Sequence, residues 1–594
     1  MSSRRGRVSR LALVALATAG ALASGAPTAM AQRAPGVAPA ALPMRRPAAR
    51  VVCDGDTVSA IDIRSYPPAA TGLVREGRAI SARALGAPHV TTRPDVIRAY
   101  LRLAVGNVCT ERDRQESERL LRAQPFISAA AVRVLPVAPG RVRVEVEVTD
   151  ELRPIVGGGV SHGTLSALLL GTQDFRGRGL TLAARAERGF AYRDGFGLSA
   201  VQYGLFGRPA FVALDAQRLP VDGQIVRGEL SQPYLTDLQR LAFHASASIT
   251  SAYTGLRRPS EGDVSLFVRR TSYDIGWVTR LWRPSGRGIV ALVGGALLGE
   301  DVRTTPDLVM ITDSGFVTGP ANPFSFPPFA TTRVAAIGGL RALRFVTVRG
   351  FDALTAEQDM GVGVQLNLLA GSSVLTPAHA RDLFFAGDFY AGRGGPGSFV
   401  EARALAEALR VQGTHQWDGV VVSGRLAWYG NASGERAHLA SLEMGALQHL
   451  AFPAQLTFGD GEGGLPGFSG SANAGGRRLV ARLEERRLVR WFGTHADAAV
   501  GLFVTTGRLW AGDVPYGQTT PVRTAVGFSL FGAYPGGGKR TYRADLAIPL
   551  NPARGDARFE LRFSATDRTL MLWREPSDVA RVRTGAVPAS LMKW

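Results

Sequence analysis

Alternation of apolar and polar residues is the dominant pattern of this chain from Pro154 onward, and it is clearest near the C-terminus. Residues 521–531, 541–550 and 557–563 each place apolar residues on one face of an expected β-strand. Those faces are formed by Val522, Thr524, Val526, Phe528 and Leu530, by Tyr542, Ala544, Leu546, Ile548 and Leu550, and by Phe559, Leu561 and Phe563. The opposite faces carry charged residues, which need water, so the pattern predicts an antiparallel barrel with lipid outside and a polar lumen inside. The strands alone leave a soluble β-sandwich open as the alternative.

The preceding residues, 51–153, have the mixed pattern of one small α/β domain. A strand is expected over residues 58–63, and a helix begins after Thr92 as N-cap and ends near Gly106. A second helix is expected from Thr110 to about Ala123. Two strands close the domain, and the buried face of the second is formed by Val142, Val144, Val146 and Val148.

The N-terminus has the pattern of a secretory signal peptide over residues 1–31. Four arginines precede a short apolar run, and Ala29-Met30-Ala31 offers a cleavage site. Residues 32–50 are rich in proline and alanine and are interpreted as a linker. After the signal, no stretch approaches the roughly 20 apolar residues of a transmembrane helix. The remaining boundaries predicted are a barrel over residues 154–573 and a C-terminal tail over residues 574–594.

Charge and cysteine content narrow the class of protein further. The net charge of +20 comes almost entirely from arginines that are spread along the chain, which argues against nucleic-acid binding and favours a basic lumen or anionic lipid headgroups. Cys53 and Cys109 are the only cysteines, and in an exported protein this even count predicts a disulfide, with two separate buried thiols as the alternative.

The stretch from Phe458 to Arg487 resembles the sixth-loop motif of the BamA/TpsB outer-membrane superfamily. That motif has the form V/L-R-G-F/Y, followed some ten residues later by a strand bearing E-x-R. Leu465, Gly467 and Phe468 match its first part and Glu484 and Arg486 its second, whereas Pro466 stands in the place of the arginine. In the family this arginine pairs with the aspartate of an F-x-D-x-G strand. The matching strand here has Phe503 and Gly507 but carries Thr505 in place of the aspartate, so both charged partners of the family pair are replaced.

The resemblance implies a fold and a location. The fold class is mainly β: a transmembrane antiparallel β-barrel of about 16 strands, preceded by one small α/β POTRA-like domain in the periplasm. Residues 174–179 resemble the family's early hairpin, and residues 306–329 are expected to form a long extracellular loop. The loop with Leu465 and Phe468 is expected to dock in the lumen without the salt bridge, with an ordinary surface loop as the alternative. Phe563 or Trp573 is expected to end the last strand.

The function implied by the resemblance is insertion of polypeptides into the outer membrane, or their translocation across it. Client segments would add to an edge strand of the POTRA-like domain, and the edge expected is Ala131, Val132, Arg133, Val134 and Leu135. The partners implied are outer-membrane lipids, unfolded or secreted client polypeptides and accessory periplasmic proteins. Two alternatives stay open: the domain is only a spacer, or the chain is a passive outer-membrane pore or surface-exposed structural barrel without translocase activity.

No motif in the chain supports an enzyme or a cofactor. Residues 159–163 match G-x-S-x-G, but the nucleophile elbow needs a helix after its strand, and here a further strand is expected. Residues 392–397 match G-x-G-x-x-G without a surrounding strand–turn–helix unit. The histidines show no metal-ligand spacing. A lytic enzyme would therefore rest on Ser161 alone.

Overall fold

The computed structural model describes residues 53–68, 90–161, 164–189, 192–259, 261–282, 288–375, 381–413, 416–431, 435–489, 495–553, 556–567, 573–585 and 591. The predicted signal peptide and linker lie outside the described residues. Within the described part, no helix is both long and apolar enough to cross a membrane.

The first domain is a four-stranded sheet packed against helices; the sequence predicts both helices and three of the strands, but not the short strand between the helices. Its elements are β1 (Asp54–Tyr66), α1 (Pro94–Arg98), β2 (Val108–Thr110), α2 (Glu111–Arg122), β3 (Ile127–Ala138) and β4 (Arg141–Asp150). The strand order is β2-β1-β4-β3, with β1 and β4 parallel and the other pairs antiparallel. Strand β3 is therefore an edge of the sheet. The four valines predicted for the last strand all lie in the core.

The prediction for the first helix is wrong in length and in its cap. The helix covers only Pro94–Arg98, with Arg93 as N-cap. Thr92 does not cap it, because its hydroxyl lies 2.7 Å from Asp150 Oδ1 and 2.8 Å from Asp174 Oδ2. The second helix begins as predicted, since the Thr110 side chain accepts a hydrogen bond from the backbone N–H of Asp113.

Cys53 and Cys109 form a disulfide that joins the start of β1 to β2, with 5.1 Å between their Cα atoms. Both cysteines are buried in the core of the domain. The bond fixes the short edge strand β2, which pairs with β1 through few residues.

The rest of the chain forms a closed antiparallel barrel, and its first nine strands follow one another as simple neighbours. They are β5 (Pro154–Ser161), β6 (Thr164–Thr172), β7 (Leu180–Glu187), β8 (Gly195–Tyr203), β9 (Phe211–Arg218), β10 (Gly223–Gln232), β11 (Leu241–Leu256), β12 (Val264–Arg280) and β13 (Val290–Thr304). The predicted long loop over residues 306–329 contains a small hairpin, β14 (Val309–Thr312) and β15 (Gly315–Thr318), which extends the sheet beyond the barrel wall.

The second half of the barrel continues the same meander. Its strands are β16 (Phe329–Val348), β17 (Gln358–Leu375), β18 (Asp382–Gly395), β19 (Ser398–Val411), β20 (Asp418–Gly430) and β21 (Arg436–Gln448), then β24 (Arg477–Val489), β25 (Asp497–Trp510), β26 (Arg523–Ala533), β27 (Arg540–Pro549) and β28 (Glu560–Asp567). Between β21 and β24, the short strands β22 (Leu456–Thr457) and β23 (Ala474–Gly475) pair with each other. Strand β28 closes the barrel against β5.

The barrel wall has twenty strands, so the prediction of about 16 is wrong. The first six wall strands, β5 to β10, are only 8 to 10 residues long. The expected count assumed one strand-plus-loop length for the whole region, and short strands with tight turns place more strands in the same number of residues.

The two faces of the wall are oriented as predicted. Phe528, Leu546 and Phe563 are exposed on the outside, whereas Ser529 and Asp545 are buried on the inside. We call the barrel mouth beside the α/β domain the domain end, and the opposite mouth the loop end. Phe563 lies in the last strand, whereas Trp573 lies beyond it and is buried.

The domain and barrel are joined by a buried junction at the turn between β6 and β7. The Arg93 N–H donates to the Gly177 carbonyl at 2.9 Å, and the Gly179 N–H donates to Asp174 Oδ1 at 2.6 Å. Gly177 has φ +70°, and a Cβ atom there would lie 2.3 Å from the Thr91 carbonyl oxygen, so this turn needs glycine. The resemblance singled out this hairpin, and the structure shows it holding the domain.

We expect the junction to loosen as pH rises through about 6. Burial, together with the nearby Asp150 carboxylate, raises the pKa of Asp174 from 3.8 to about 6. The Thr92 hydroxyl has one proton for two carboxylates, so a proton on Asp174 supplies the second hydrogen bond. The folded state then binds this proton more tightly than the unfolded state. The contribution to stability is thus fully present below about pH 4 and is lost as pH rises through about 6.

Hydrogen exchange of residues 173–179 at pH 5 and pH 7.5, corrected for intrinsic rates, measures this effect. The wild type should open more readily at pH 7.5, and Asp174→Asn should flatten the pH dependence. An identical pH dependence in the two proteins would contradict the assignment to Asp174.

Candidate functional site in the barrel lumen

The connection between β21 and β24, residues 449–476, packs against the inner face of the barrel wall. Leu465 and Phe468 are 0% and 1% exposed, and they share one apolar cluster with the wall residues Val480, Leu509 and Ala525. Counted along the barrel, this is the eighth connection at the loop end, not the sixth, because of the additional strands. The structure therefore places the loop inside the lumen, as expected from the resemblance.

The backbone of this loop is held by a carboxylate of the last strand. Glu560 Oε2 accepts hydrogen bonds from the N–H groups of Gly467 at 2.8 Å and Ser469 at 3.1 Å. Gly467 has φ +92°, and a Cβ atom there would lie 3.2 Å from the Ala525 Cβ. Pro466 is buried between these anchors. The loop thus docks through backbone donors and apolar packing.

The strand expected to supply the partner of the family arginine is β25. Phe503, Thr505 and Gly507 all point toward the inside of the wall, and Thr505 is 1% exposed. The buried Thr505 hydroxyl has no hydrogen-bond partner among the described residues. Among the described residues, Thr505 and Pro466 therefore make no polar contact with each other.

Glu484 and Arg486 of β24 belong to a buried charge cluster on the wall, which we call the Glu484 cluster. The fully buried Glu484 carboxylate contacts Arg482 and Arg486 on its own strand and Arg543 on β27, the last at 2.8 Å. Arg543 in turn pairs with Asp545 at 2.7 Å. One carboxylate thus contacts three guanidinium groups in the interior.

Arg486 also reaches the turn between β16 and β17 at the domain end. It donates to Asp352 Oδ1 at 2.8 Å and to the Phe351 carbonyl at 3.1 Å. Phe351 is 1% exposed and packs against Tyr429 with 5.4 Å between ring centroids. This turn, rather than the loop with Pro466, receives the arginine of the E-x-R strand.

The sequence reasoning missed this turn, although its signal is present. Residues 348–351 have the letters V-R-G-F, which are the unaltered first part of the family motif. Arg349 does not enter the lumen, because it is half exposed and pairs with Glu357 inside the turn. The letters alone would therefore have placed Phe351 in a loop-end connection instead of this turn at the domain end, and would have assigned the wrong role to Arg349.

The C-terminal tail was predicted only as a tail, and the structure places it in the lumen. Its described residues, 573–585 and 591, include the short helix α3 (Ser577–Ala580). Arg478 of β24 forms a two-point pair with Asp578, at 2.5 and 3.0 Å. No periodic pattern in the tail indicates this position.

The predicted edge, Ala131 to Leu135, lies on β3, which is an edge strand of the domain sheet. The outward groups of Val132 are already occupied: its N–H donates to Glu118 Oε2 at 3.1 Å, and its carbonyl accepts from Arg114 at 2.9 Å. Pro136 lies two residues after Val134 and faces the same side of the strand, but it has no N–H to donate. By strand alternation, the N–H and carbonyl of Val134 also point outward within the predicted edge.

The enzyme-like motifs are placed in strands. Gly159 and Ser161 lie in β5, which is followed by β6 and not by a helix, so no nucleophile elbow is formed. Residues 392–397 span the hairpin between β18 and β19. Among the described residues, no three His, Cys, Asp or Glu side chains come together as metal ligands would.

Sequence comparison finds no matching family model and no matching curated protein. Among solved structures, the chain is similar to BamA from Haemophilus ducreyi lacking POTRA domains 1–3, with 13% identity, a TM-score of 0.38 and coverage of 86% of this chain and 85% of that one. It is also similar to CdiB from Escherichia coli, with 10% identity, a TM-score of 0.45 and coverage of 86% and 76%. For CdiB from Acinetobacter baumannii, identity is 9%, the TM-score is 0.39 and coverage is 86% and 74%.

All three TM-scores are below 0.5, so the assignment rests on the chain's own geometry. A closed wall satisfies every strand edge, its outer face is apolar and its inner face is charged. The chain is a membrane-spanning β-barrel. Its candidate site is the polar lumen with the two chain segments that it holds.

Proposed function

We propose that this chain is an outer-membrane protein of the BamA/TpsB type that inserts polypeptides into the membrane or passes them across it. The observation that carries this proposal is the content of the lumen. The wall binds two segments of the chain itself through carboxylates and guanidinium groups directed at their backbone, as in the contact of Glu560 with Gly467 and Ser469. A surface that binds backbone groups suits polypeptide clients of varied sequence.

The α/β domain would act in the periplasm as the first point of contact for a client. It is held at one mouth of the barrel: Arg122 pairs with Asp359 at 2.9 Å, and Arg119 donates to the Leu235 carbonyl at 2.5 Å. Strand β3 would accept a client strand next to Val134, and Arg114 and Glu118 would have to release Val132 for longer pairing. This arrangement favours short or weak client pairing at the domain.

A passive pore is the second candidate, and the replacement of the family's Arg–Asp pair by Pro466 and Thr505 favours it. The filled lumen speaks against a permanently open pore. Leu465 and Phe468 of the loop and Asp578 of the tail all lie buried inside the barrel.

Quantitative proteomes of the outer membrane and the culture medium, with and without this gene, test the proposal. Loss of many barrel proteins would indicate insertion, and loss of one secreted protein would indicate a dedicated exporter. Restoration by the wild-type gene is the control. If this protein alone disappears from both proteomes, the translocation proposal fails and the pore remains.

A further inference from the structure

The C-terminal tail passes through the lumen and returns to the mouth from which it started. Strand β28 ends at Asp567, which lies opposite Arg540 of β27 in the strand register, at the domain end. Helix α3 then lies against the lumen loop, and the Leu591 carbonyl accepts a hydrogen bond from the Tyr234 N–H in the β10–β11 turn at the domain end, at 2.7 Å. The described tail residues therefore lie inside the barrel beside the loop and, at Leu591, at the domain end.

A buried network holds the first part of the tail. Asp578 pairs with Arg478 and accepts the Thr457 N–H at 3.2 Å. Asp460 of the lumen loop accepts the Ser577 hydroxyl at 2.5 Å and the Asp578 N–H at 3.0 Å. Arg478, Asp460 and Asp578 are each no more than 6% exposed, so these charges are shielded from solvent and depend on one another.

Wall side chains hold the backbone of the second part. Glu407 of β19 accepts the Thr584 N–H at 2.8 Å, and Arg270 of β12 donates to the Arg581 carbonyl at 2.6 Å. Arg270 also donates to the Arg583 carbonyl. These contacts read the backbone and are not specific to the side chains of this tail.

Apolar positions complete the site. Val579 and Val582 join the cluster that contains Leu465 and Phe468. Leu591 is fully buried in a separate cluster of wall residues. The wall thus offers a guanidinium donor for one acidic side chain, apolar surface directly after it, and backbone partners along the following residues.

We propose that the lumen contains a peptide-binding site, and that the described tail residues, 573–585 and 591, are its tethered occupant and close the barrel. The ligand class is a polypeptide segment with an acidic residue followed by aliphatic residues, of which Asp578 and Val579 are the built-in example. A wall of twenty strands encloses a lumen as wide as that of channel-forming barrels, so the interior needs a filler to be impermeable. The ligand that would displace the tail is a client polypeptide, and this part of the inference rests on the proposed function.

Ion conductance of the purified full chain in planar lipid bilayers tests the occupant separately from any client. The full chain should conduct little, and a chain ending at residue 573 should conduct several-fold more. A synthetic peptide of residues 574–591 should block the shortened chain, and the same peptide with Asp578→Arg should block it far less. Heat-modifiable mobility on gels verifies that each barrel is folded.

Charge reversal keeps the test decisive if the shortened chain does not fold. Arg478→Asp and Asp578→Arg should each raise conductance, and the double variant, which restores an opposite-charge pair, should return it toward the wild-type level. Single variants that conduct like the wild type, a double variant no better than the singles, or a folded shortened chain with unchanged conductance would overturn the proposal. The two proposals can also fail separately. If the shortened chain conducts more than the full chain but the proteomes do not change when the gene is removed, the tethered occupant is supported and the translocation proposal fails.

Discussion

Replacing Glu484 by alanine is expected to destabilise the barrel by about 3–5 kcal/mol, the usual cost of removing one partner from a buried ion pair. The Glu484 side chain is fully buried and contacts Arg482, Arg486 and Arg543. In the variant, Arg543 would still pair with Asp545 and Arg486 with Asp352, whereas Arg482 would lose its contact with Glu484. The loss of stability would therefore come mainly from the positive charge of Arg482. We also expect Arg486 to lose part of its contact with the β16–β17 turn, because Glu484 and Asp352 together orient its guanidinium group.

Urea unfolding in detergent, followed by heat-modifiable mobility, measures the change in the free energy of unfolding. Glu485→Ala is the matched control, since Glu485 is the next residue on the same strand but is exposed on the outer face. The control should change stability by less than about 1 kcal/mol. Equal effects of the two substitutions would show that the interior position of Glu484 is not what matters.

Replacing Phe468 by alanine is expected to cost about 3–5 kcal/mol, as for other fully buried phenylalanines. The ring is 1% exposed and packs against Phe458 with 6.1 Å between centroids, close to Val480 and Ala525 of the wall. A cavity at this place also removes apolar surface from Val579 of the tail, which belongs to the same cluster. We therefore expect both a lower unfolding temperature and a higher ion conductance.

Phe528→Ala is the control for this prediction. Phe528 is 39% exposed on the outer face of β26, three residues from the wall residue Ala525. Its loss should leave conductance unchanged. If Phe468→Ala altered neither heat-modifiable mobility nor conductance, the loop would not depend on its apolar anchor and the docking would have to be held by Glu560 alone.

The wall could be predicted from the sequence because its signal is local. Each strand near the C-terminus alternates residue by residue, and Phe528, Leu546 and Phe563 lie outside as their pattern indicated. The helix α2 was equally local, because Thr110 and Asp113 are three residues apart. Both signals need only the chemistry of near neighbours.

The contents of the lumen could not be predicted in the same way, because their partners are distant in sequence. Arg478 and Asp578 are separated by 100 residues, and Arg486 and Asp352 by 134. No periodicity relates such pairs, and the tail has none of its own. Thr92 shows the same difficulty at smaller scale, since its two carboxylate partners are 58 and 82 residues away and outcompete the local cap.

The position of the tail also constrains the order in which the protein matures. The tail leaves β28 at the domain end and comes back to Tyr234, whose neighbour Leu235 is hydrogen-bonded to Arg119 of α2. The helix thus lies at the mouth through which the tail enters. We therefore expect the tail to enter the lumen before the α/β domain settles over this mouth, which makes docking of that domain a late step of biogenesis.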